Sequence, residues 1–242
     1  MIPSNQFANL VLFGLALTAC ATVTPAQMAM PNSMDPDIVT VPIIGIGAGR
    51  SGQFSIGQQS GNYHRSADRL ALFDQLLVRN TGHVAFRLAG PNPPNSIDAT
   101  CKFGAASSGL GAISVDHSLL RFDCRFSADG KVLPHSLSLN ETRDGVADTL
   151  MRRSRQGTLI WGDRHLTIKS VHRLMGSPLQ TATPMGYSFQ IANKIVGAVS
   201  LANKPIVHIT NAASESDRQA VVAAAVALAL FWDPAETEAA HS

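Results

Sequence analysis

The sequence predicts a mainly β protein, an antiparallel closed barrel or sandwich of about 10–12 strands with a buried apolar helix at its C-terminal end. From Gln53 onward, short runs that alternate apolar and polar residues recur every eight to twelve residues, a spacing typical of all-β domains. Turn-forming residues stand between the runs, as at Asn80-Thr81-Gly82, Asp129-Gly130 and Gly162-Asp163. Residues 220–232 are apolar throughout, which is typical of a helix buried on every side.

The composition bounds the organisation of the chain and the class of its partner. At 242 residues with 45% hydrophobic content, the chain suits one globular domain, predicted for residues 53–233, with flanking segments. The net charge is +2, but residues 62–210 hold 17 Lys and Arg against 10 Asp and Glu, whereas the remaining residues hold 2 and 7. A basic body of this kind favours an anionic partner. Because the chain has only two Tyr and two Trp, nucleic acid is not the predicted partner.

The N-terminal segment, residues 1–19, is predicted to be a lipoprotein signal peptide. The first 34 residues contain no charged side chain, and LVLFGLALTAC is a short apolar run that ends on small residues and a cysteine. The motif Leu17-Thr18-Ala19-Cys20 resembles the lipobox of bacterial lipoproteins. The resemblance implies cleavage before Cys20 and acylation of this residue, so that its acyl chains bind the membrane. The alternative is an ordinary signal peptide that is cut nearby and removed with Cys20, because MIPSNQF lacks the Lys or Arg with which lipoprotein leaders normally begin.

Residues 20–52 are predicted to be a flexible tether, because ATVTPAQMAMPNSMDPDIVTVP has four prolines and little periodicity. Ala21 is not the aspartate that often retains lipoproteins in the inner membrane, so the resemblance implies an outer-membrane anchor that faces the periplasm of a Gram-negative envelope. Within the tether, Gly47-Ala48-Gly49-Arg50-Ser51-Gly52 matches a dinucleotide-binding pattern, but no helical period follows it. It is interpreted as a mobile loop, and no cofactor is predicted.

Two cysteines, Cys101 and Cys124, are predicted to form a disulfide. In LLRFDCRF, Cys124 shares an apolar strand face with Phe122 and Phe126, and in SIDATCKF, Cys101 shares one with Phe103. Inward-facing cysteines outside the cytoplasm favour a bridge. The alternative is a pair of buried thiols that never meet. No metal is predicted, because no histidine shows ligand spacing beside them.

Two segments are assigned to helices. In SADRLALFDQLLVRNTG, strand alternation fails at Leu72-Phe73 and Leu76-Leu77, while Ser66 suits an N-cap and Gly82 a C-terminal stop. A helix is therefore predicted in this segment.

The second helix is predicted over residues 217–232. Ser216 and Gln219 form a capping box, six of residues 220–232 are Ala, and Pro234 follows. Residues 234–242 are predicted to be a disordered tail.

Ten or more strands followed by an apolar terminal helix resemble the tubby-like architecture, which is shared by tubby C-terminal domains, phospholipid scramblases and LURP-one-related proteins. The likeness covers residues 69–232 and is strongest in GYSFQIANKIVGAVSL, PIVHIT and the helix. It implies a closed barrel of roughly twelve strands around the helix. The alternatives are a β-sandwich with the helix packed between a sheet and a partner, and a helix that lies against the membrane, which would need a charged face.

The residues predicted to bind a ligand form a basic stretch within residues 150–175, where Asp163 is the only acid. They are Arg152, Arg153, Arg155, Arg164, His165, Lys169 and Arg173. In HLTIKSVHRL, His165, Lys169 and Arg173 share one strand face. A cationic stripe outside a barrel can hold the phosphate or carboxylate of an anionic lipid, or contact an envelope protein. The alternative is a solvated strand face whose charges limit aggregation.

No catalytic residue is predicted, because the chain lacks Gly-x-Ser-x-Gly, Ser-x-x-Lys and His-Glu-x-x-His. The leading hypothesis is a non-enzymatic, membrane-anchored envelope lipoprotein that binds an anionic or amphiphilic ligand or an envelope partner, and a flat basic surface would favour it. One alternative is an envelope hydrolase with a site assembled from distant residues, which a deep pocket with a histidine or carboxylate of shifted pKa would favour. The other is a structural subunit, which an exposed apolar patch would favour.

Overall fold

A computed structural model describes residues 26–72, 77–90, 96–110, 113–142 and 152–232. Within these ranges, twelve antiparallel strands close into a barrel and a helix follows the last strand. The strands are β1 Ile38–Ile44, β2 Ser51–Ile56, β3 Gln59–Leu72, β4 Leu77–Ala89, β5 Ser96–Leu110, β6 Ile113–Ala128, β7 Lys131–Glu141, β8 Arg155–Trp161, β9 Arg164–Val171, β10 Gly186–Ile191, β11 Lys194–Ser200 and β12 Ile206–Thr210, and the helix is α1, Glu215–Leu230.

Each strand pairs with its neighbours in the chain, and the barrel closes where the first strand meets the last. In this closing pair Ile38 lies opposite Thr210 and Pro42 lies opposite Ile206. Closure gives every strand of the ring a neighbour on both sides. Of the two predicted architectures, the closed barrel is therefore confirmed and the sandwich is not formed.

Alternation along the strands separates the interior from the outer wall, because successive side chains point to opposite faces. In β9, Leu166 and Ile168 are buried, whereas His165, Thr167 and Lys169, which alternate with them, are exposed. The same period places apolar side chains of the other strands in one interior cluster. The alternating runs of the sequence therefore form the strands of the barrel wall.

The helix α1 fills the barrel interior. Its residues from Ala220 to Leu230 are buried except for Val222 and Ala229. It contacts β4, β8, β11 and β12, which stand on different sides of the ring of strands. The ring of Phe231, just after the helix, packs on Phe122 with ring centroids 4.8 Å apart. The prediction of a buried apolar helix is confirmed.

The helix boundaries differ from the predicted range 217–232, because the helix begins and ends two residues earlier. Ser214, rather than Ser216, is the N-cap, and its Oγ accepts a hydrogen bond from the Asp217 amide at 3.2 Å. Ser214 has an extended backbone, as an N-cap requires, whereas Ser216 already lies inside the first turn. At the other end Phe231 leaves the helix with a ψ of 120°.

The helix predicted around Leu70 and Leu77 is wrong. β3 and β4 form a long hairpin that pairs from Ser60 opposite Ala89 to Leu72 opposite Leu77. Cross-strand pairing satisfies the backbone along the whole hairpin, so tertiary context overrides the local periodicity. Residues 73–76 lie outside the described ranges.

The predicted tether, residues 20–52, overlaps the barrel, since β1 lies inside it and β2 begins at Ser51. Residues 26–34, here called the strap, lie across the outer faces of β10 and β11. Met28 of the strap is 3% exposed, and with Ile195 and Ala198 it is buried outside the interior cluster. Residues 1–25, with the lipobox, and residues 233–242, with the predicted tail, lie outside the described ranges.

The two ends of the barrel differ in their connections. At the loop end, the described connections are residues 45–50, 172–185 and 201–205. At the turn end, two-residue turns join consecutive strands at 57–58, 129–130, 162–163 and 192–193. Because neighbouring strands are antiparallel, the helix starts at the turn end and finishes at the loop end.

The predicted disulfide is confirmed. Cys101 of β5 lies directly opposite Cys124 of β6, and the two sulfur atoms are bonded. Both residues are buried. The bridge therefore fastens two neighbouring strands from inside the barrel.

Candidate functional site

A pocket of about 520 Å³ lies on the outer wall between the strap and strands β8, β9 and β10. The strap forms one wall and the strands form the other. The lining residues are Ala29, Met30, Pro31, Asn32, Ser33, Arg152, Ser154, Arg155, Gln156, Lys169, Ser170, Val171, His172, Arg173, Gln180, Ser188, Gln190 and Ile195. The volume is in the range that holds a small molecule or the head of a larger one.

Cationic and neutral polar side chains line the pocket. Arg152, Arg155, Lys169 and Arg173 of the predicted set are among the residues that line it. No Asp or Glu occurs among the described lining residues. Serine and glutamine side chains supply neutral hydrogen-bonding groups beside the charges. The arrangement suits a phosphate or carboxylate group, because guanidinium and ammonium groups donate strong hydrogen bonds to such anions.

Arg155 differs from the other cations because it is only 2% exposed and shares the inward face of β8 with Leu159 and Trp161. Its Nη1 donates a hydrogen bond to the hydroxyl of Tyr187 at 3.1 Å. Its guanidinium lies over the ring of Phe231, 5.4 Å from the centroid. The interpretation of Arg155 as part of an external stripe is therefore corrected, since this side chain belongs mainly to the end of the barrel core.

Three residues of the predicted set lie away from the pocket. Arg164 is at the turn end, where its Nε lies 3.6 Å from Oδ1 of Asp217 at the start of the helix. His165 and Arg153 are exposed and do not line the pocket. The stripe seen in the sequence is thus divided among a pocket, the barrel core and an ion pair with the helix.

His172 lines the pocket, and its buried imidazole has a hydrogen-bonding partner on each nitrogen. Its Nδ1 lies 2.9 Å from the carbonyl oxygen of Thr181, so this nitrogen carries the proton and donates. Its Nε2 lies 3.0 Å from Oγ of Ser170 and accepts from that hydroxyl. The Ser170 oxygen in turn accepts a hydrogen bond from the backbone amide of Arg155 at 2.9 Å. Every polar atom of this histidine is therefore satisfied in the neutral form.

Burial lowers the pKa of His172 below its usual range. The hydrogen bond with the Thr181 carbonyl opposes this change, and the positive charges of Arg152 and Arg155 lower the pKa further. The imidazole is consequently neutral at pH 7. An anion bound in the pocket would offset part of the effect that these positive charges have on the pKa of His172.

Backbone hydrogen bonds fix the strap to the loop of residues 172–185. The amide of Ala29 donates to the carbonyl of Arg173 at 2.8 Å, and the amide of Met175 donates to the carbonyl of Gln27 at 2.8 Å. Met34 bridges to Ile195 near the opposite end of the strap. Sequence reasoning missed this wall, because proline-rich residues without periodicity give no pairing signal.

The glycine-rich segment has a structural role in the described ranges. The carbonyl of Gly49 accepts a hydrogen bond from Nε of Arg65 at 3.0 Å, and the carbonyl of Gly47 accepts one from the same guanidinium. The guanidinium also lies 4.9 Å from the ring centroid of Trp232. The segment therefore covers a buried arginine, and the strand β2, rather than a helix, begins at Ser51.

Two further findings concern the described part of the chain. Its residues include no cluster of three or more His, Cys, Asp or Glu that is able to hold a metal ion. Its helix is shorter or more polar than a bilayer span requires.

Comparison with known proteins leaves the fold and the pocket as the basis for function. No protein-family model, curated protein or solved structure matches the chain.

Proposed function

We propose that the protein is a membrane-anchored envelope lipoprotein that binds an anionic or amphiphilic ligand in the pocket beside the strap. The observation that carries this proposal is a concave site with Arg152, Lys169 and Arg173 among its lining residues and no carboxylate among the described ones. A concave site of this charge retains an anion better than a flat basic surface, because its walls exclude part of the competing water.

The shape of the pocket supports an amphiphile. Met30, Pro31 and Ile195 add apolar lining to the polar lining of the cations and serines. The closed barrel with an internal C-terminal helix also agrees with the tubby-like resemblance, and membership of that group is part of the proposal. We infer a ligand with a phosphate or carboxylate group on an apolar body.

The envelope location is supported by sequence alone. Leu17-Thr18-Ala19-Cys20 has the form of a lipobox, and an acylated Cys20 would anchor the chain stably when two or more acyl chains are attached. A disulfide in the barrel fits an oxidising compartment. The inferred address is the periplasmic face of the outer membrane.

A binding experiment tests the pocket. We expect the wild-type chain to bind a water-soluble short-chain phosphatidylglycerol more tightly than the phosphatidylcholine of the same chain length, as measured by calorimetry. The double variant Lys169→Glu/Arg173→Glu should weaken phosphatidylglycerol binding at least tenfold, about 1.4 kcal/mol. Arg125→Glu, an exposed change on β6 away from the pocket, is the matched control. Equal binding of the two lipids by the wild-type chain would contradict the proposal.

A hydrolase of anionic esters is the second candidate function, because the site is a pocket with a histidine of lowered pKa, the feature expected of the enzyme, rather than the flat basic surface expected of the binding protein. The hydrogen bond between Ser170 Oγ and a neutral His172 is the contact that a nucleophile and its general base require. The same contacts also satisfy a buried histidine and the Arg155 amide, so they explain the local fold without catalysis. Hydrolysis of p-nitrophenyl esters and p-nitrophenyl phosphate by the wild-type chain, and its loss in folded Ser170→Ala, would favour the enzyme. An inactive wild-type chain would leave binding as the function.

A further inference from the structure

We propose that the loop end of the barrel is a docking surface for an anionic lipid bilayer, with the loop of residues 172–185 entering the headgroup region. The proposal rests on the proposed function only in placing the protein beside a membrane. It concerns the loop end, which adjoins the pocket and shares Arg152 and Arg173 with it, and a different form of lipid, because it requires an assembled bilayer rather than a single headgroup.

The loop end exposes apolar side chains on the described connections. Leu179 is 74% exposed and Met175 is 60% exposed, and both belong to the loop of residues 172–185. Ile44, the last residue of β1, is 63% exposed at the same end. These large apolar side chains are mostly exposed to water, and the headgroup boundary of a bilayer would bury them.

The charge at the loop end matches an anionic surface. The connections of residues 45–50, 172–185 and 201–205 contain Arg50, Arg173 and Lys204 and contain no Asp or Glu. Arg152 and Arg153 precede β8 at the same end. Basic residues next to a membrane are attracted by anionic lipids over about a Debye length.

The turn end has the opposite character. Acidic residues lie on its turns, before β1 and in the first turn of the helix. They are Asp35, Asp37, Asp129, Asp163, Glu215 and Asp217, against Lys131, Arg164, Lys194 and Arg218. Among the described residues, the loop-end connections carry basic side chains with Glu141 at the end of β7 beside them, whereas acids outnumber bases in the turn-end set, so an anionic bilayer favours the loop end.

The strap brings the predicted anchor to the same end. Its first described residue, Ala26, accepts a hydrogen bond from the side-chain amide of Asn203, in the connection of residues 201–205, at 2.9 Å. Five residues, 21–25, separate Ala26 from Cys20. Since an extended chain spans at most about 3.6 Å per residue, a segment of this length reaches no farther than roughly 22 Å from Ala26. An acylated Cys20 would thus keep the loop end, not the turn end, against the bilayer.

A bilayer fits these observations better than a protein partner. The exposed apolar side chains are few and separated by polar and basic residues, which suits shallow insertion among headgroups and does not form the continuous apolar core of a protein interface. When the acyl chains are absent, salt screens the contacts of the basic residues, and the few apolar side chains bury only a small area. The anchor therefore provides attachment, and the loop end provides orientation.

The test uses the full chain with Cys20→Ser, which cannot be acylated at this position. We expect it to co-sediment with vesicles of phosphatidylcholine and phosphatidylglycerol at low salt, and not with vesicles of phosphatidylcholine alone. Met175→Asp/Leu179→Asp in this background should reduce the partition coefficient at least tenfold, because each apolar contact is replaced by a repelled charge. Val132→Asp, which changes an 80% exposed apolar residue at the turn end, is the matched control and should leave partitioning unchanged.

Further outcomes separate this inference from the proposed function. If the wild-type pocket binds short-chain phosphatidylglycerol but the Cys20→Ser chain does not bind anionic vesicles, the docking surface is refuted and the binding function of the pocket is supported. The docking surface is also refuted if Met175→Asp/Leu179→Asp has no effect on vesicle binding while Lys169→Glu abolishes it. If vesicles bind and the two loop substitutions release them in a chain that does not bind the soluble lipid, the docking surface stands without the pocket.

Discussion

His172 shows how one buried side chain couples the pocket to the stability of the barrel. The imidazole is 6% exposed and has a hydrogen-bonding partner on each nitrogen. Protonation would convert Nε2 from an acceptor into a donor and place a positive charge near Arg152 and Arg155. The folded protein therefore resists the uptake of this proton.

The first prediction concerns pH. Because burial lowers the pKa of His172 in the folded state, the unfolded chain binds the proton first as the pH falls through its ordinary value of about 6.5. The free energy of unfolding should decrease below this pH, by up to about 1.4 kcal/mol per pH unit for this residue. The decrease continues until the pH reaches the lowered pKa of the folded state.

Denaturant unfolding at pH 7 and pH 5 measures this effect. His172→Gln should reduce the difference in unfolding free energy between the two pH values, whereas His165→Gln, on the exposed face of β9, should retain it. Burial also lowers the pKa of His208, so some pH dependence should remain in His172→Gln. An unchanged difference in that variant would contradict the assignment.

The helix is the element on which the barrel interior depends. Ala224 and Val226 are fully buried and point in different directions from the helix axis. An aspartate at either position would be buried in an apolar core, at a cost of several kcal/mol that is comparable to the stability of a whole domain. We therefore expect both Ala224→Asp and Val226→Asp to prevent folding.

Circular dichroism and thermal melting of the purified chain check this prediction. Gln219→Asp, at an exposed position near the positive end of the same helix, is the matched control and should fold. Soluble, cooperatively melting protein from either core variant would mean that the helix is docked on the sheet from one side rather than enclosed by it.

The disulfide stabilises the pairing of two neighbouring strands. It joins Cys101 and Cys124, 23 residues apart, and a loop of this length stabilises the folded state by about 3 kcal/mol in the chain-entropy model. Thiol labelling of the unfolded, unreduced chain should find neither cysteine free. Cys101→Ser/Cys124→Ser should lower the unfolding free energy by a similar amount, and two labelled thiols in the wild-type chain would contradict the bridge.

The elements that the sequence predicts well are those whose pattern is enforced by burial. Cys124 between Phe122 and Phe126, and the unbroken apolar run after Gln219, have only one arrangement that removes them from water. The hairpin around Gly82 escaped prediction because its apolar doublets imitate a helix. In the fold, Gly82 instead permits a close approach, since a Cβ there would lie 2.3 Å from the carbonyl oxygen of Ser66 on the partner strand.

Some cations of the pocket were selected from the sequence, but the pocket itself was not predicted. Arg152, Lys169 and Arg173 were selected by charge, and they line one cavity. The strap could not be inferred, because its contact with β10 and β11 joins residues that are far apart in the chain and obeys no periodicity. Arg155 was misplaced because a charged residue is normally expected outside, whereas the Tyr187 hydroxyl and the Phe231 ring accommodate it within.

For the whole molecule, the prediction is attachment through Cys20. Cys20→Ser should move the protein from the membrane fraction to the soluble fraction after a salt wash, because only the proposed acyl chains hold it when the charges are screened. Fractionation and immunoblotting of salt-washed membranes measure this. Ala21→Ser, which leaves the cysteine in place, should remain with the membranes as the control. A Cys20→Ser chain that still sediments after the wash would contradict the lipoprotein assignment.

The closing pair of strands sets the order in which this protein can be made. A ribosome delivers β1 before every other strand of the barrel, yet the partner that closes the ring, β12, is delivered last, and the helix follows it. Until then the nascent chain holds an open sheet whose inner face is apolar and unfilled. The complete barrel therefore cannot form before β12 and the helix have been made, and the unfinished sheet is exposed to aggregation until then.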